Sequence, residues 1–102
     1  MLKPNPVRVF EKTAAEEVDW EEDFADMLES SEVITSVTAA AVDTSGTSAS
    51  VVGTPTFSGT VVTVELTGGS NMSEYRVTLS VITSTHTYVK IAVLRVLNLP
   101  VI

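Results

Sequence analysis

The sequence predicts an all-β domain, and two observations support this fold class. Val, Thr and Ser supply 42 of the 102 residues (17, 14 and 11), and Val and Thr favour the pleated, half-buried surface of a sheet. After residue 33, apolar residues also alternate with polar ones along much of the chain. That period of two is typical of strands with one buried face. The length suits one domain with a single core of modest stability.

Five segments carry strand patterns that are separated by turn residues. Val62, Val64 and Leu66 alternate with polar residues, and the pattern recurs in residues 75–83. The breaks are rich in Gly, Pro, Asn, Asp and Ser, and Gly68-Gly69 suits a turn with positive φ. Short strands at this spacing favour an immunoglobulin-like β-sandwich, here residues 32–99. The predicted strands are residues 33–42, 48–52, 60–66, 75–83 and 87–97.

Residues 19–31 predict a short helix before the sandwich. Asp19 is a candidate N-cap, and Glu22 stands three residues later, close to a capping box. The apolar residues of the segment fall at i, i+4, i+7 and i+8, which places them on one helix face. These residues are Trp20, Phe24, Met27 and Leu28. Trp20, Phe24 and Leu28 are therefore predicted core anchors that close one end of the sheet.

Extended, apolar segments are expected at both ends of the chain. Residues 1–18 form an arm, in which Pro4 and Pro6 restrict their own backbones and those of Lys3 and Asn5 to extended shapes. Residues 100–102 form a tail, and the strand at 87–97 is apolar on both faces, so another element or subunit should cover its outer face. The arm and tail supply the predicted interaction residues, which are Val7, Val9, Phe10, Leu99, Val101 and Ile102.

Charge is concentrated in the first third of the chain and excludes several partners. The net charge is −7; residues 1–33 hold 10 acids and 3 bases, whereas residues 34–102 hold 3 of each. An acidic chain without a basic face is a poor ligand for nucleic acid or an anionic membrane. The chain has no cysteine, so disulfides are excluded. No targeting segment is visible, so folding in the cytoplasm is expected.

The sequence predicts no catalytic, cofactor or metal site. His86 is the only histidine and lies in a predicted turn, so neither a zinc site nor a catalytic triad can be assembled around it. The acids of residues 19–26 could attract Ca²⁺, but the calcium-loop pattern is missing, and a solvated acidic face is the better interpretation. Gly68-Gly69 lacks the lysine of a phosphate loop. We therefore expect a protein that is not an enzyme.

Two stretches resemble a group of small tailed-bacteriophage proteins. One is residues 19–24 (DWEEDF) with Leu28 and Ile34, which is similar to the aromatic-acidic helical turn of that group. The other is residues 61–69 (VVTVELTGG), followed by residues 75–78 (YRVT) and 82–84 (ITS). The likeness covers about residues 19–96, and it departs from the group at residues 71–73 and 84–86, in two loops.

The resemblance implies an immunoglobulin-like structural protein of the virion without enzymatic activity or cofactor. Members of this group decorate or cement the capsid, or sit at the neck or tail. We expect this chain to bind and reinforce or decorate the capsid through its arm and sheet surface. Its partners would be the major capsid protein or other virion proteins, and it would form a homo-oligomer. The alternatives are a neck or tail ring component and a host-surface adhesion module. The expected location is the virion, assembled in the host bacterial cytoplasm.

Overall fold

The computed structural model describes residues 8–97, which form two β-sheets. A four-stranded sheet has the order β1-β7-β6-β3, and a three-stranded sheet has the order β2-β5-β4. All pairs are antiparallel except β1 with β7, which run parallel. The strands of the described range are β1 (Arg8–Lys12), β2 (Val18–Asp23), β3 (Ile34–Asp43), β4 (Thr56–Ser58), β5 (Val61–Leu66), β6 (Ser73–Thr83) and β7 (Thr87–Val96).

The inward faces of both sheets form one hydrophobic core. On β6, Val77, Leu79 and Val81 are fully buried, and the alternate residues between them are more exposed. On β5, Val62, Val64 and Leu66 are fully buried at alternate positions. The predicted all-β class is confirmed, and two sheets that share one core are the arrangement that a β-sandwich requires.

The predicted helix at residues 19–31 is wrong, because its first half is a strand. Residues 18–23 form β2, which pairs with β5 so that Trp20 stands opposite Val64. Trp20 is fully buried, whereas Asp19 and Glu21 on either side of it are exposed. The segment therefore has the period of a strand, and its acids other than Glu22 occupy positions that face water.

The second half of the predicted helix is a chain of turns. The carbonyl of Phe24 accepts hydrogen bonds from the N–H groups of Met27 and Leu28, at 2.9 and 3.2 Å. Phe24 is fully buried, and Met27 and Leu28 pack against the core from this single turn. The apolar residues have helical spacing because Trp20 lies in a strand and Phe24, Met27 and Leu28 lie in the turn that follows it.

Three other places differ from the predicted strand list, and one of them is β4 (Thr56–Ser58), where no strand was predicted. The described part of the predicted arm enters the four-stranded sheet as β1, paired with β7 from Arg8 to Lys12. The strand predicted at residues 48–52 is reduced to isolated bridges at Ser48 and Val52. Between these bridges the chain leaves the edge of β3, where Ala49 N–H donates to Ala41 C=O, and joins the edge of β5. A segment that changes sheets cannot pair continuously with either one.

The double-glycine turn between β5 and β6 is needed for steric reasons. Gly68 and Gly69 have φ of 66° and 93°, the left-handed region that glycine adopts without a penalty. A Cβ on Gly69 would lie 2.6 Å from Cγ2 of Val96 and 3.2 Å from the Tyr75 ring. The backbone of this turn therefore closes directly over the core.

Replacing Trp20 with alanine should destabilise the domain by about 3–5 kcal/mol, because a fully buried aromatic side chain would leave a cavity. Equilibrium unfolding in denaturant measures the change. Val33→Ala is the control, since Val33 is 58% exposed and should shift stability by less than about 0.5 kcal/mol. Equal midpoints for Trp20→Ala and the parent would contradict the buried position of Trp20.

Gly69→Ala and Gly46→Ala form a matched pair that separates backbone strain from crowding. Gly46 has φ of 88°, close to that of Gly69, but no atom lies within 4 Å of its added Cβ. Both variants should be less stable than the parent, because alanine is strained at a positive φ. Gly69→Ala should lose about 1–3 kcal/mol more of unfolding free energy, because its Cβ overpacks the core. Thermal or denaturant unfolding of the two variants checks this. A similar loss in both would mean that Val96 moves aside freely.

Candidate interaction surfaces

The outer face of the four-stranded sheet exposes a group of β-branched side chains, which we call the apolar face. It consists of Val9 on β1, Ile82 on β6, and Val89 and Ile91 on β7, which are 52%, 41%, 48% and 39% exposed. Their strands are neighbours, and the register places Val9 beside Val93 on the same side of the sheet. Contiguous exposed apolar surface is typical of interaction sites.

The outer face of the three-stranded sheet has the opposite chemistry, and we call it the acidic face. Its exposed acids are Asp19, Glu21 and Asp23 on β2 and Glu65 on β5. Asp19 stands directly opposite Glu65 in the register, and like charges at paired positions destabilise a sheet. None of the basic residues in the range 8–97 belongs to β2, β5 or β4. This face therefore presents uncompensated negative charge.

Glu22 is the one acid of β2 that points inward, and it links three strands. Its carboxylate accepts from the Trp20 indole Nε1 at 3.1 Å and pairs with Arg8 at 3.1 Å and Lys90 at 3.3 Å. Burial on its own would raise the pKa of Glu22, but the Trp20 hydrogen bond and the charges of Lys90 and Arg8 outweigh it. The pKa is therefore held below its ordinary value, and the carboxylate stays ionised between β1, β2 and β7.

A second inward carboxylate, Glu32, ties the loop after β2 to the β6–β7 hairpin. Its side chain is 1% exposed, and it accepts hydrogen bonds from the Thr83 hydroxyl and from Tyr88 Oη at 3.2 Å. His86 Nδ1 lies 3.2 Å away. The Thr83 hydroxyl is the main cause that lowers the pKa of Glu32 to about 2, against burial, which raises it. Glu32 is therefore a buried anion that accepts hydrogen bonds from two hydroxyl groups, with the His86 ring beside it.

Glu29, Glu32 and His86 are the group in residues 8–97 whose geometry could hold a metal ion. One ligand atom from each lies within 4.8 Å of the others. Glu32 Oε2 already accepts from Thr83 and approaches His86, so a cation would compete with existing hydrogen bonds. From the sequence alone, His86 is predicted only as a turn residue. Glu32 precedes it by 54 positions, and no local pattern could have connected the two.

The predicted interaction residues divide between described and undescribed parts of the chain. Val9 lies on the apolar face, and Phe10 is half-buried with its ring 6.1 Å from that of Trp20. The other four, Val7, Leu99, Val101 and Ile102, lie outside the described residues. Of the three predicted core anchors, Trp20 and Phe24 are fully buried, and Leu28 packs against the core from its turn.

An all-β domain with two exposed faces of unlike chemistry has the features of a structural binding module. No helix in residues 8–97 is long and apolar enough to cross a membrane. The family model described as podophage GP4 fiber-tail adaptor protein gp77 matches residues 12–94. The chain therefore belongs to that family. No curated protein matches the sequence. The match supports a tailed-phage virion structural protein, as the resemblance implied, and leaves a capsid-decorating or cement role without confirmation.

The Glu32 anion should make stability depend on acid pH. A carboxyl group with a folded-state pKa of about 2 and an ordinary value of 4.5 stabilises the fold above pH 4.5. That contribution is lost as the pH falls from 4.5 through about 2. Glu32→Gln should therefore be less stable than the parent at pH 7, and the gap between them should narrow over this interval.

Unfolding midpoints in denaturant, measured at several pH values between 2 and 7, test this dependence. Glu29→Gln is the control, because Glu29 is exposed beside the same histidine, with its side chain 71% accessible. This control should differ little from the parent at every pH. A gap for Glu32→Gln that stays constant down to pH 2 would contradict the lowered pKa.

Proposed function

We propose that this chain is a non-enzymatic adaptor of a podophage tail that joins a fibre protein to the tail by binding each through a different face. The observation that carries the proposal is the contrast between the apolar face and the acidic face on opposite sheets. An adaptor must hold two unlike partners at once. Two surfaces of different chemistry on one rigid core allow this without competition between the partners.

The family to which the chain belongs supports a position in the tail. Its description names a fibre-tail adaptor, whereas the sequence favours capsid decoration first and a neck or tail component second. The family description therefore favours the second of these positions. It also fits partners that are other virion proteins, and it offers no support for the major capsid protein or for host adhesion. Self-association of the chain stays a prediction.

Each face suits a partner of complementary chemistry. The paired acids Asp19 and Glu65 repel each other across β2 and β5 in the free protein. A basic partner surface would relieve that repulsion and attract the acidic face over a distance of about 8 Å at physiological salt. The apolar face would bind a partner by removing Val89, Ile91 and their neighbours from water, which depends little on salt.

We also infer that the sandwich is of the immunoglobulin-like type. The orders β2-β5-β4 and β7-β6-β3 correspond to the B-E-D and G-F-C strands of that fold. A further feature is Tyr75 near the start of β6, whose Oη accepts a hydrogen bond from the Ser70 backbone N–H at 2.9 Å. This arrangement matches the tyrosine corner at the start of strand F. The buried tryptophan is a departure, since Trp20 lies on β2 and not on β3.

Charge placed on one face should abolish binding to one partner and spare the other. Val89→Asp with Ile91→Asp disrupts the apolar face, and Glu21→Lys with Glu65→Lys reverses charge on the acidic face. Each double variant should weaken one interaction at least tenfold, which corresponds to about 1.4 kcal/mol. Pull-down and titration against the purified fibre and tail proteins of the same phage measure both interactions. Added salt should weaken only the interaction made by the acidic face.

Two single variants, placed outside both faces, control for the effect of changing surface charge. Met72→Asp introduces the same charge at an apolar residue that is 75% exposed and has φ of 62°, a conformation that Asp tolerates. Asp26→Lys reverses an exposed acid in the turn after β2. Both should bind the two partners like the parent. The proposal is wrong if the two double variants lose the same partner, or if neither loses any.

A further inference from the structure

The edge of β3 opposite β6 carries backbone groups that face away from the sheet. In an antiparallel strand, alternate residues direct N–H and C=O to opposite sides. Ala41 C=O accepts from Ala49 N–H, and Asp43 N–H donates to Thr47 C=O, both at 2.9 Å, so the odd-numbered residues face this edge. Val37 and Ala39 belong to the same set. Within residues 8–97, no backbone group pairs with them on this side.

The edge is open because the chain changes sheets beside it. Residues 47–49 cover β3 as far as Ala41. The chain then bonds to the end of β5: Gly53 N–H donates to Glu65 C=O, and Val51 C=O accepts from the N–H of Thr67, the residue after the strand. A groove remains between residues 37–39 of the four-stranded sheet and residues 52–55 beside the three-stranded sheet. Its floor is formed by the half-buried side chains of Val37, Ala39 and Val52. No charged side chain lines it.

We propose that this groove binds an extended peptide segment of a partner protein, which adds to β3 as a fifth strand. Unpaired N–H and C=O groups that alternate at every second residue are matched only by another extended backbone. The lining is uncharged and combines the hydroxyls of Thr38 and Thr54 with apolar side chains, so the segment must place small, uncharged side chains at alternate positions toward Val52 and Pro55. This surface is distinct from the apolar face and the acidic face, and the proposal does not depend on the adaptor assignment.

The size of the open edge favours a linear segment over a second copy of the domain. Val37 and Ala39 together offer four backbone hydrogen-bonding groups along about 7 Å of strand. A stable dimer buries about 800 Å² on each partner, which an edge of this length does not supply. A short peptide needs only the groove and the strand edge, and it gains specificity from the alternate side chains that enter the groove.

Amide hydrogen exchange in the intact protein tests directly whether a peptide occupies the open edge of β3. The probes are overlapping synthetic peptides that tile all the virion structural proteins of the same phage, those outside the tail included. In the free protein the amides of Val37 and Ala39 should exchange fast, while those of Thr38 and Ala40, which face β6, are protected. A peptide that binds should slow exchange at Val37 and Ala39 at least tenfold. Binding of no peptide, or binding that leaves both amides fast, would overturn the proposal.

Ala39→Pro supplies an independent test because it removes the outward N–H, and proline is tolerated on an edge strand at such a position. It should weaken peptide binding at least tenfold. The matched control is Ala40→Thr, which changes an exposed side chain of the same strand and should bind like the parent. Equal affinity for Ala39→Pro and the parent would overturn the proposal. A parent dimer that Ala39→Pro converts to a monomer would also overturn it, since a second copy would then occupy the edge. If Ala39→Pro does not fold, the exchange data on the parent decide.

Discussion

The single core between the two sheets is the constraint on which the rest of the structure depends. Every inward position of β5 and β6 is taken by a buried side chain, and Trp20 of β2 lies between the sheets. A domain of about 100 residues has only a few kilocalories per mole of stability to lose. Polar groups that enter this core must therefore be fully paired. Lys12, which is 2% exposed, donates to the carbonyl oxygens of Thr13 and Gly68.

The two inward carboxylates follow the same constraint and also hold the connections in place. Glu22 joins β1, β2 and β7 through Arg8 and Lys90, so the parallel edge strand is fastened to both sheets. Glu32 fastens the loop after β2 to the β6–β7 hairpin through Thr83 and Tyr88. No buried side-chain polar atom in residues 8–97 lacks a partner. The buried charges are thus structural, which leaves the outer faces and the strand edge as the surfaces available to partners.

The central strands were predictable from sequence because their pattern is local. The alternation in residues 61–66 and 75–83 indicates strands with one buried face. The glycine pair Gly68-Gly69 indicates a turn, because glycine readily adopts the positive φ that both residues have. Strand β2 was missed because Glu22 occupies an inward position and breaks the alternation. Its partners Arg8 and Lys90 are 14 and 68 residues away. The chain's change of sheets near Ser50 was also hidden, since residues 48–52 (SASVV) have the local pattern of one continuous strand.

The same limit explains why the sequence could not show which separate segments join to form each candidate surface. The apolar face combines Val9 with Val89 and Ile91, which are brought together only by the parallel pairing of β1 with β7. The acidic face was foreseen as the solvated side of a helix, and its charge is correct although its backbone is not. On a strand, Asp19 and Glu21 stand about 7 Å apart along one flat face. A flat row of acids opposite Glu65 matches an extended basic surface, whereas a helix would have spread the same charges around a cylinder. The change from helix to strand therefore changes the shape of partner that this charge can select.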